Sequence, residues 1–142
     1  MNLAIGGDHA AVELKHAVIA LLKERGHEVK NFGTDSADSV DYPDFGHPVA
    51  KMVVSGEADL GIVICGSGNG INMTVNKYPE IRSALAWNEE LAALARQHNN
   101  ANILALPARF VSVELGLKIV ESFLDSEFEG GRHQRRVEKI KA

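Results

Sequence analysis

The sequence predicts an α/β fold, a three-layer α/β/α sandwich on a five-stranded parallel sheet wound in the Rossmann manner. Three observations carry that expectation. Short apolar runs of strand length alternate along the chain with longer amphipathic stretches of helical period. The clearest run, Leu60-Gly61-Ile62-Val63-Ile64, is apolar at every position, the pattern of a strand covered on both faces. The segments between runs are long enough for helical crossovers, which set successive strands parallel and wind right-handed. At 142 residues the chain fits one domain, residues 1–142.

Each element has a local reason. Leu3-Ala4-Ile5 reads as the first strand and Gly6-Gly7-Asp8-His9 as the turn after it. From Ala10 to Arg25, Val12, Leu14, Val18, Ile19, Leu21 and Leu22 recur at helical spacing, and Gly26 stops that helix. Glu28 to Phe32 makes a second strand, followed by a polar loop over 33–41. Pro43 suits a first helical turn, and the helix runs to Val54. After the Leu60 strand comes a glycine turn, Gly66 to Gly70, and a helix to about Lys77, broken by Pro79. Arg82 to Ala86 is a fourth strand, Glu89 to Gln97 a helix and Ile103-Leu104-Ala105-Leu106 a fifth strand. Ser112 is placed to cap a helix to Leu124, and a basic helix over about 132–141 closes the chain after Gly130-Gly131.

Composition narrows the function classes. Hydrophobic residues make 45% and charged residues 24% of the chain, the balance of a soluble globular domain. A net charge of -4 gives no footprint for nucleic acid. No apolar run is long enough to span a bilayer, and the N-terminus has no positively charged leader pattern, so a cytoplasmic protein is expected. A single cysteine excludes an internal disulfide and a thiolate zinc cluster within one chain. The six histidines form neither H-x-x-x-H nor H-E-x-x-H, and no metal site is expected. Arg132, Arg135, Arg136, Lys139 and Lys141 crowd the last eleven positions beside His133, which by itself reads as a solvated terminal helix.

Ligands in open α/β sheets bind beyond the carboxyl ends of the strands. Asp8 and His9 follow the first strand there, Cys65 and the glycine turn the third, Trp87 and Asn88 the fourth, and Arg109 the fifth. Cys65-Gly66-Ser67-Gly68-Asn69-Gly70 is the strongest local signal. Three glycines between a buried strand and a helix allow close approach to a ligand and aim N–H groups at an anion. Ile71 stands where a dinucleotide fingerprint needs glycine, and no Gly-Lys-Ser/Thr follows for a P-loop. A carboxylate, an enediolate or a phosphate fits. Cys65, beside a helix start, reads equally as a thiolate nucleophile or general base and as an inert core thiol. His98, at the end of the fourth helix, is by itself a favourable partner of the helix dipole.

Taken in one register, these pieces resemble the ribose-5-phosphate isomerase type B family, which includes galactose-6-phosphate and allose-6-phosphate isomerases. They are Gly6-Gly7-Asp8-His9, Asp41-Tyr42-Pro43, Ile64-Cys65-Gly66-Ser67-Gly68-Asn69-Gly70, Asn76-Lys77, Arg96-Gln97-His98-Asn99, Asn102-Ile103-Leu104 and Gly130-Gly131-Arg132-His133-Gln134-Arg135-Arg136-Val137. The resemblance spans nearly the whole chain. It implies that Cys65 is the base that moves the proton between adjacent carbons, with the N–H groups of Gly66, Ser67, Gly68, Asn69 and Gly70 holding a cis-enediolate. It implies that the Ser67 hydroxyl helps move protons between the two oxygens, and that His98, with Asn99 beside it, opens the furanose ring. Asp8, His9 and Tyr42 would contact the sugar; Arg109, Arg132 and Arg136 would clamp the phosphate, with His133 near them. Arg132 and Arg136 lie four apart, on one helical face, and their planar forks suit a phosphate.

The resemblance further implies a sugar phosphate substrate, no cofactor and a homodimer with sites between subunits, pairing of dimers into tetramers being left open. Ribose 5-phosphate is the expected substrate, since one chain holds both the Cys65 turn and the His98 and arginine elements. Allose or galactose 6-phosphate is the alternative, followed by a non-catalytic phospho-sugar sensor. A hydrolase using Cys65 with His98 is a third, unsupported by any leaving-group chemistry in the turn.

Overall fold

The computed structural model describes residues 1–141. In chain order it contains β1 (Asn2–Gly7), α1 (Val12–Glu24), β2 (Glu28–Asn31), α2 (Pro43–Val54), β3 (Leu60–Cys65), α3 (Asn69–Val75), β4 (Ser83–Leu85), α4 (Glu89–Asn99), β5 (Ile103–Pro107), α5 (Val113–Asp125) and α6 (Arg132–Glu138). The five strands form one parallel sheet in the order β2-β1-β3-β5-β4, as the sequence predicts. The order reverses between β1 and β3, so their carboxyl ends open on a crevice at the switch point.

Alternation along each strand builds the two faces. Leu3, Ile5, Ile62, Ile64, Leu104 and Leu106 point to one side, against Leu14, Val18 and Leu22 of α1, Ala92 of α4, and Ile119 and Phe123 of α5. Ala4, Val63, Cys65, Ile103 and Ala105 point to the other, against Val49 and Ala50 of α2 and Ile71 and Val75 of α3. Most of these side chains are fully buried, each worth about 1.5–3 kcal/mol if large.

Helix ends follow expected and unexpected signals. Ser112 caps α5 by accepting a hydrogen bond from Leu115 N at 3.0 Å, and Gly26 takes φ +85 just past α1. Asn88, read from the sequence only as a strand-end residue, is the cap of α4 and accepts from Leu91 N at 2.9 Å. That helix runs two residues beyond its predicted end because Asn100 can take the left-handed cap conformation, at φ 47. His98 and Asn99 therefore belong to its last turn. The terminal helix is shorter than expected and ends at Glu138. Past α3, Asn76 accepts from Ser83 N at 2.8 Å and donates to Ser83 O at 3.0 Å, covering part of the free edge of β4.

One interior group was not anticipated. Lys15 of α1 has no exposed surface, and its ammonium bonds Asn31 Oδ1 at 3.0 Å and Asp35 Oδ1 at 2.5 Å. Asp35 also meets His16 Nε2 at 2.9 Å. These bonds fasten the 33–41 loop to α1 and to the end of β2.

Candidate active site

The carboxyl ends of β1, β3 and β5 collect the first group of expected residues. Cys65 closes β3, buried at 4% exposure, level with Pro107 of β5. Beyond it the chain turns under Arg109, whose N–H donates to Gly66 O at 3.0 Å. The Arg109 guanidinium lies over Gly66, so a Cβ there would stand 3.1 Å from Nη1. Ser67 is exposed, and its hydroxyl accepts from Asn69 N at 3.2 Å. Gly68 caps α3 at φ +77, where a Cβ would strike Leu85 at 2.5 Å, so that position requires glycine. At Gly70 a Cβ would lie 2.5 Å from Tyr42 Cζ. The tyrosine ring thus rests on the bare backbone of the turn and forms one of its walls.

Asp8 and His9 stand on the β1 side of the same crevice. Asp8 is 7% exposed and accepts from Ala10 N at 3.0 Å, and its own N–H donates to Ile64 O at 3.3 Å. His9 Nδ1 accepts from Val40 N at 3.2 Å, so the neutral ring carries its proton on Nε2. That bond also ties His9 to the loop that Lys15 and Asp35 anchor, and Tyr42 follows directly from this loop. Acid, imidazole, thiol, hydroxyl, phenol and guanidinium are therefore gathered around one glycine turn.

The second group lies elsewhere. His98 and Asn99, in the last turn of α4, line a cavity of about 440 Å³ with Ala84, Leu85, Leu91, Leu94, Ala95, His133 and Arg136. His98 and His133 stack, with ring centroids 4.1 Å apart and planes 9° from parallel. Glu129 Oε1 lies 3.7 Å from His98 Nε2 and 3.6 Å from His133 Nε2. His133 is buried and its pKa is lowered, chiefly by loss of water and then by its neighbours His98 and Arg132. Arg132 and Arg136 are exposed on α6.

The two groups do not meet within one chain. Cys65 is at the carboxyl end of the sheet, whereas α4 ends just before Ile103, at the amino end of β5. The strand between those levels spans about 13 Å. Cys65 also packs on the α2–α3 face, while α4 covers the opposite one. Each chain therefore presents the expected residues as two separate clusters.

Spacing arguments missed Glu129 and the grouping of His98 with His133, because 35 residues separate the histidines and only the packing of α6 on α4 joins them. His98, Glu129 and His133 place their ligand atoms within 4.8 Å of one another, near enough for one divalent ion. The parallel rings, however, direct their in-plane lone pairs side by side instead of toward a common point, which fits a metal poorly. Trp87, singled out at the end of β4, is 55% exposed.

Comparison with known proteins agrees with this geometry. Residues 3–140 match the model of a family described as Ribose/Galactose Isomerase. Ribose-5-phosphate isomerase B of Escherichia coli is 46% identical over 141 residues, covering 99% of this chain and 95% of the relative. The structure of Clostridium thermocellum ribose-5-phosphate isomerase B superposes with a TM-score of 0.97 at 53% identity, covering 99% of this chain and 95% of that one. The Mycoplasma genitalium ribose-5-phosphate isomerase B, solved with bound ribulose-5-phosphate, gives 0.94 at 46% identity, covering 98% and 93%. The fold, the crevice at its switch point and these likenesses together establish that the chain belongs to the ribose/galactose isomerase family.

Proposed function

We propose that this protein interconverts ribose 5-phosphate and ribulose 5-phosphate by proton transfer through a cis-enediolate. In this reading it works as a cytosolic homodimer whose sites are completed across the subunit boundary. The Cys65 turn is the observation that carries the reading. A thiol at a strand end, backed by apolar core, faces a glycine turn whose backbone is kept open between Arg109 and Tyr42. A base beside preorganised N–H donors is what enolisation next to a carbonyl requires.

The steps follow from that arrangement. The Cys65 thiolate takes the proton from C2 of the open-chain aldose. The C–H electron pair forms the C1–C2 double bond, and negative charge moves to O1. Backbone N–H groups of the turn receive that charge; in other enzymes the loss of one such donor costs about 100–1000-fold in rate. The Ser67 hydroxyl passes a proton between O2 and O1, and the thiol returns its proton to C1, leaving the carbonyl at C2. Substrate and product have the same oxidation state overall, so the step balances without an external oxidant or reductant.

His98 and Asn99 serve ring opening, and Arg132, Arg136 and Arg109 hold the phosphate, with His133, Asp8, His9 and Tyr42 around the sugar. The partition into two clusters supports the shared site: the ring-opening group and the base come together only if one chain lends its α4–α6 end to the Cys65 crevice of its partner. The ribulose-5-phosphate bound to the Mycoplasma genitalium relative supports the pentose over the hexose 6-phosphates.

The deciding experiment is turnover of ribose 5-phosphate in deuterated water beside Cys65→Ala. Ribulose 5-phosphate carrying deuterium on carbon, formed by the unmutated protein and not by the variant, is the expected result. Turnover of allose or galactose 6-phosphate alone would overturn the substrate, and full activity of the variant would overturn the base.

A further inference from the structure

We propose that Glu129 is a positioning residue for sugar-ring opening: its carboxylate engages Nε2 of His98 and leaves Nδ1 to the substrate. The inference rests on the isomerase reading above and extends it to a residue that never touches the sugar. Three contacts support it. Glu129 N donates to Gln97 O at 3.0 Å, which ties the loop ahead of α6 to the last turn of α4. The carboxylate is thereby held with Oε1 3.7 Å from His98 Nε2. The buried His133 ring, stacked at 4.1 Å, covers one face of the His98 imidazole and limits its rotation.

Neither ring nitrogen of His98 makes a hydrogen bond among the described residues, but Nε2 faces the Glu129 carboxylate at 3.7 Å, which leaves Nδ1 as the ring nitrogen open to a ligand. One edge of the imidazole thus lies beside an anion and the other is free, and closing the 3.7 Å gap to a hydrogen bond would select the tautomer with its proton on Nε2. Oε1 lies as close to His133 Nε2, at 3.6 Å, so the carboxylate faces both stacked rings, and the ring of the pair that is 38% exposed and open to a substrate is that of His98.

Opening the furanose then runs with atoms and electrons in balance. Nδ1 accepts the proton of the O1 hydroxyl, and the C1–O1 double bond forms. The C1–O4 bond breaks with its electron pair going to O4, and the imidazolium hands the proton to O4. Between those transfers His98 carries a positive charge, which a carboxylate beside Nε2–H stabilises.

The reaction itself separates this role from a structural one. In ribulose 5-phosphate the 5-hydroxyl is esterified, so no hydroxyl is placed to close a five-membered ring on C2. The ketose is open-chain and needs enolisation but no ring opening. Two rates should therefore be compared for Glu129→Gln: conversion of ribose 5-phosphate, and exchange of the C1 hydrogen of ribulose 5-phosphate with deuterated water.

The expected result is a fall of about 10–100-fold in kcat/KM for ribose 5-phosphate, with exchange into ribulose 5-phosphate within about twofold of the unmutated protein. Retained exchange would itself certify a folded variant with a working Cys65 turn. Equal loss of both rates, or loss of neither, would overturn the assignment of Glu129. Failure of the unmutated protein to convert ribose 5-phosphate would instead overturn the isomerase reading on which it stands.

Discussion

Replacing Asp35 by alanine leaves the ammonium of Lys15, which has no exposed surface, facing Asn31 alone. Breaking a buried ion pair by removing one partner costs about 3–5 kcal/mol, because the remaining charge has lost both its partner and its water. Here the Asp35 side chain is 58% exposed, so water already screens the pair and can partly replace the carboxylate. A cost of about 2 kcal/mol is the reasonable expectation, a drop of roughly 4–8 °C in Tm for a chain of this size.

Lys15→Met removes the buried charge and leaves a side chain of similar length, with Asp35 free to hydrate and Asn31 Oδ1 still bonded to Gly33 N; it should cost less than about 1 kcal/mol. The pair also sets a pH dependence. The Lys15 hydrogen bond, then those from His16 and Asn31, hold the Asp35 carboxyl far below the usual carboxylate range. The folded protein thus releases that proton more readily than the unfolded chain. The contribution is complete above about pH 5 and fades as pH falls through and below the ordinary carboxylate value near 4. Urea unfolding at fixed protein concentration, at pH 7 and at pH 3, measures both effects. Equal or greater damage from Lys15→Met, or an Asp35→Ala deficit undiminished at pH 3, would refute the reasoning.

Other outcomes follow from the same geometry. Gly70→Ala drives a Cβ against the far end of the Tyr42 side chain and not against backbone, so stability should change by under about 1 kcal/mol while the displaced ring raises KM about tenfold; unfolding curves and steady-state kinetics check the two parts. Arg132→Ala and Arg136→Ala should raise KM about tenfold or more with kcat little changed, because the phosphate is held equally in ground and transition states, and a loss confined to kcat would contradict that role. Mixing Cys65→Ala with His98→Ala subunits should regain activity. After exchange about half the dimers are mixed, each with one of its two sites intact, so about a quarter of normal turnover is expected, and no recovery would contradict the shared site.

The layers and strand positions are legible in the sequence because burial on both faces leaves uninterrupted apolar runs such as Leu60 to Ile64. The crevice is legible for a related reason: glycine is required at 68, where φ is positive and Leu85 presses, and at 66 and 70 guanidinium and phenol lie on bare backbone, so the turn is written in residue type. Lys15 escaped notice because a lysine reads as solvent-facing by residue type, although it shares a helical face with Ala11, Val18 and Leu22, and its partners Asn31 and Asp35 come from the end of β2 and the 33–41 loop. Glu129 escaped for the same kind of reason, since an acid between Phe128 and Gly130 has no pattern until α6 folds back on α4. Helix ends failed by small margins where a side chain changed the backbone's options, as Asn100 did for α4.

The amide of Asn76 has a consequence for how copies of this molecule can join. On a three-residue edge strand the outward-facing backbone groups are few, and Asn76 occupies both of those on Ser83. An incoming strand would have to displace two hydrogen bonds before forming its first. Continuous sheets running from subunit to subunit through β4 are thereby disfavoured, and with them the runaway stacking that an open parallel edge invites. On that side of the molecule, contacts between copies are left to helices and loops, the parts that carry His98, Arg132 and Arg136.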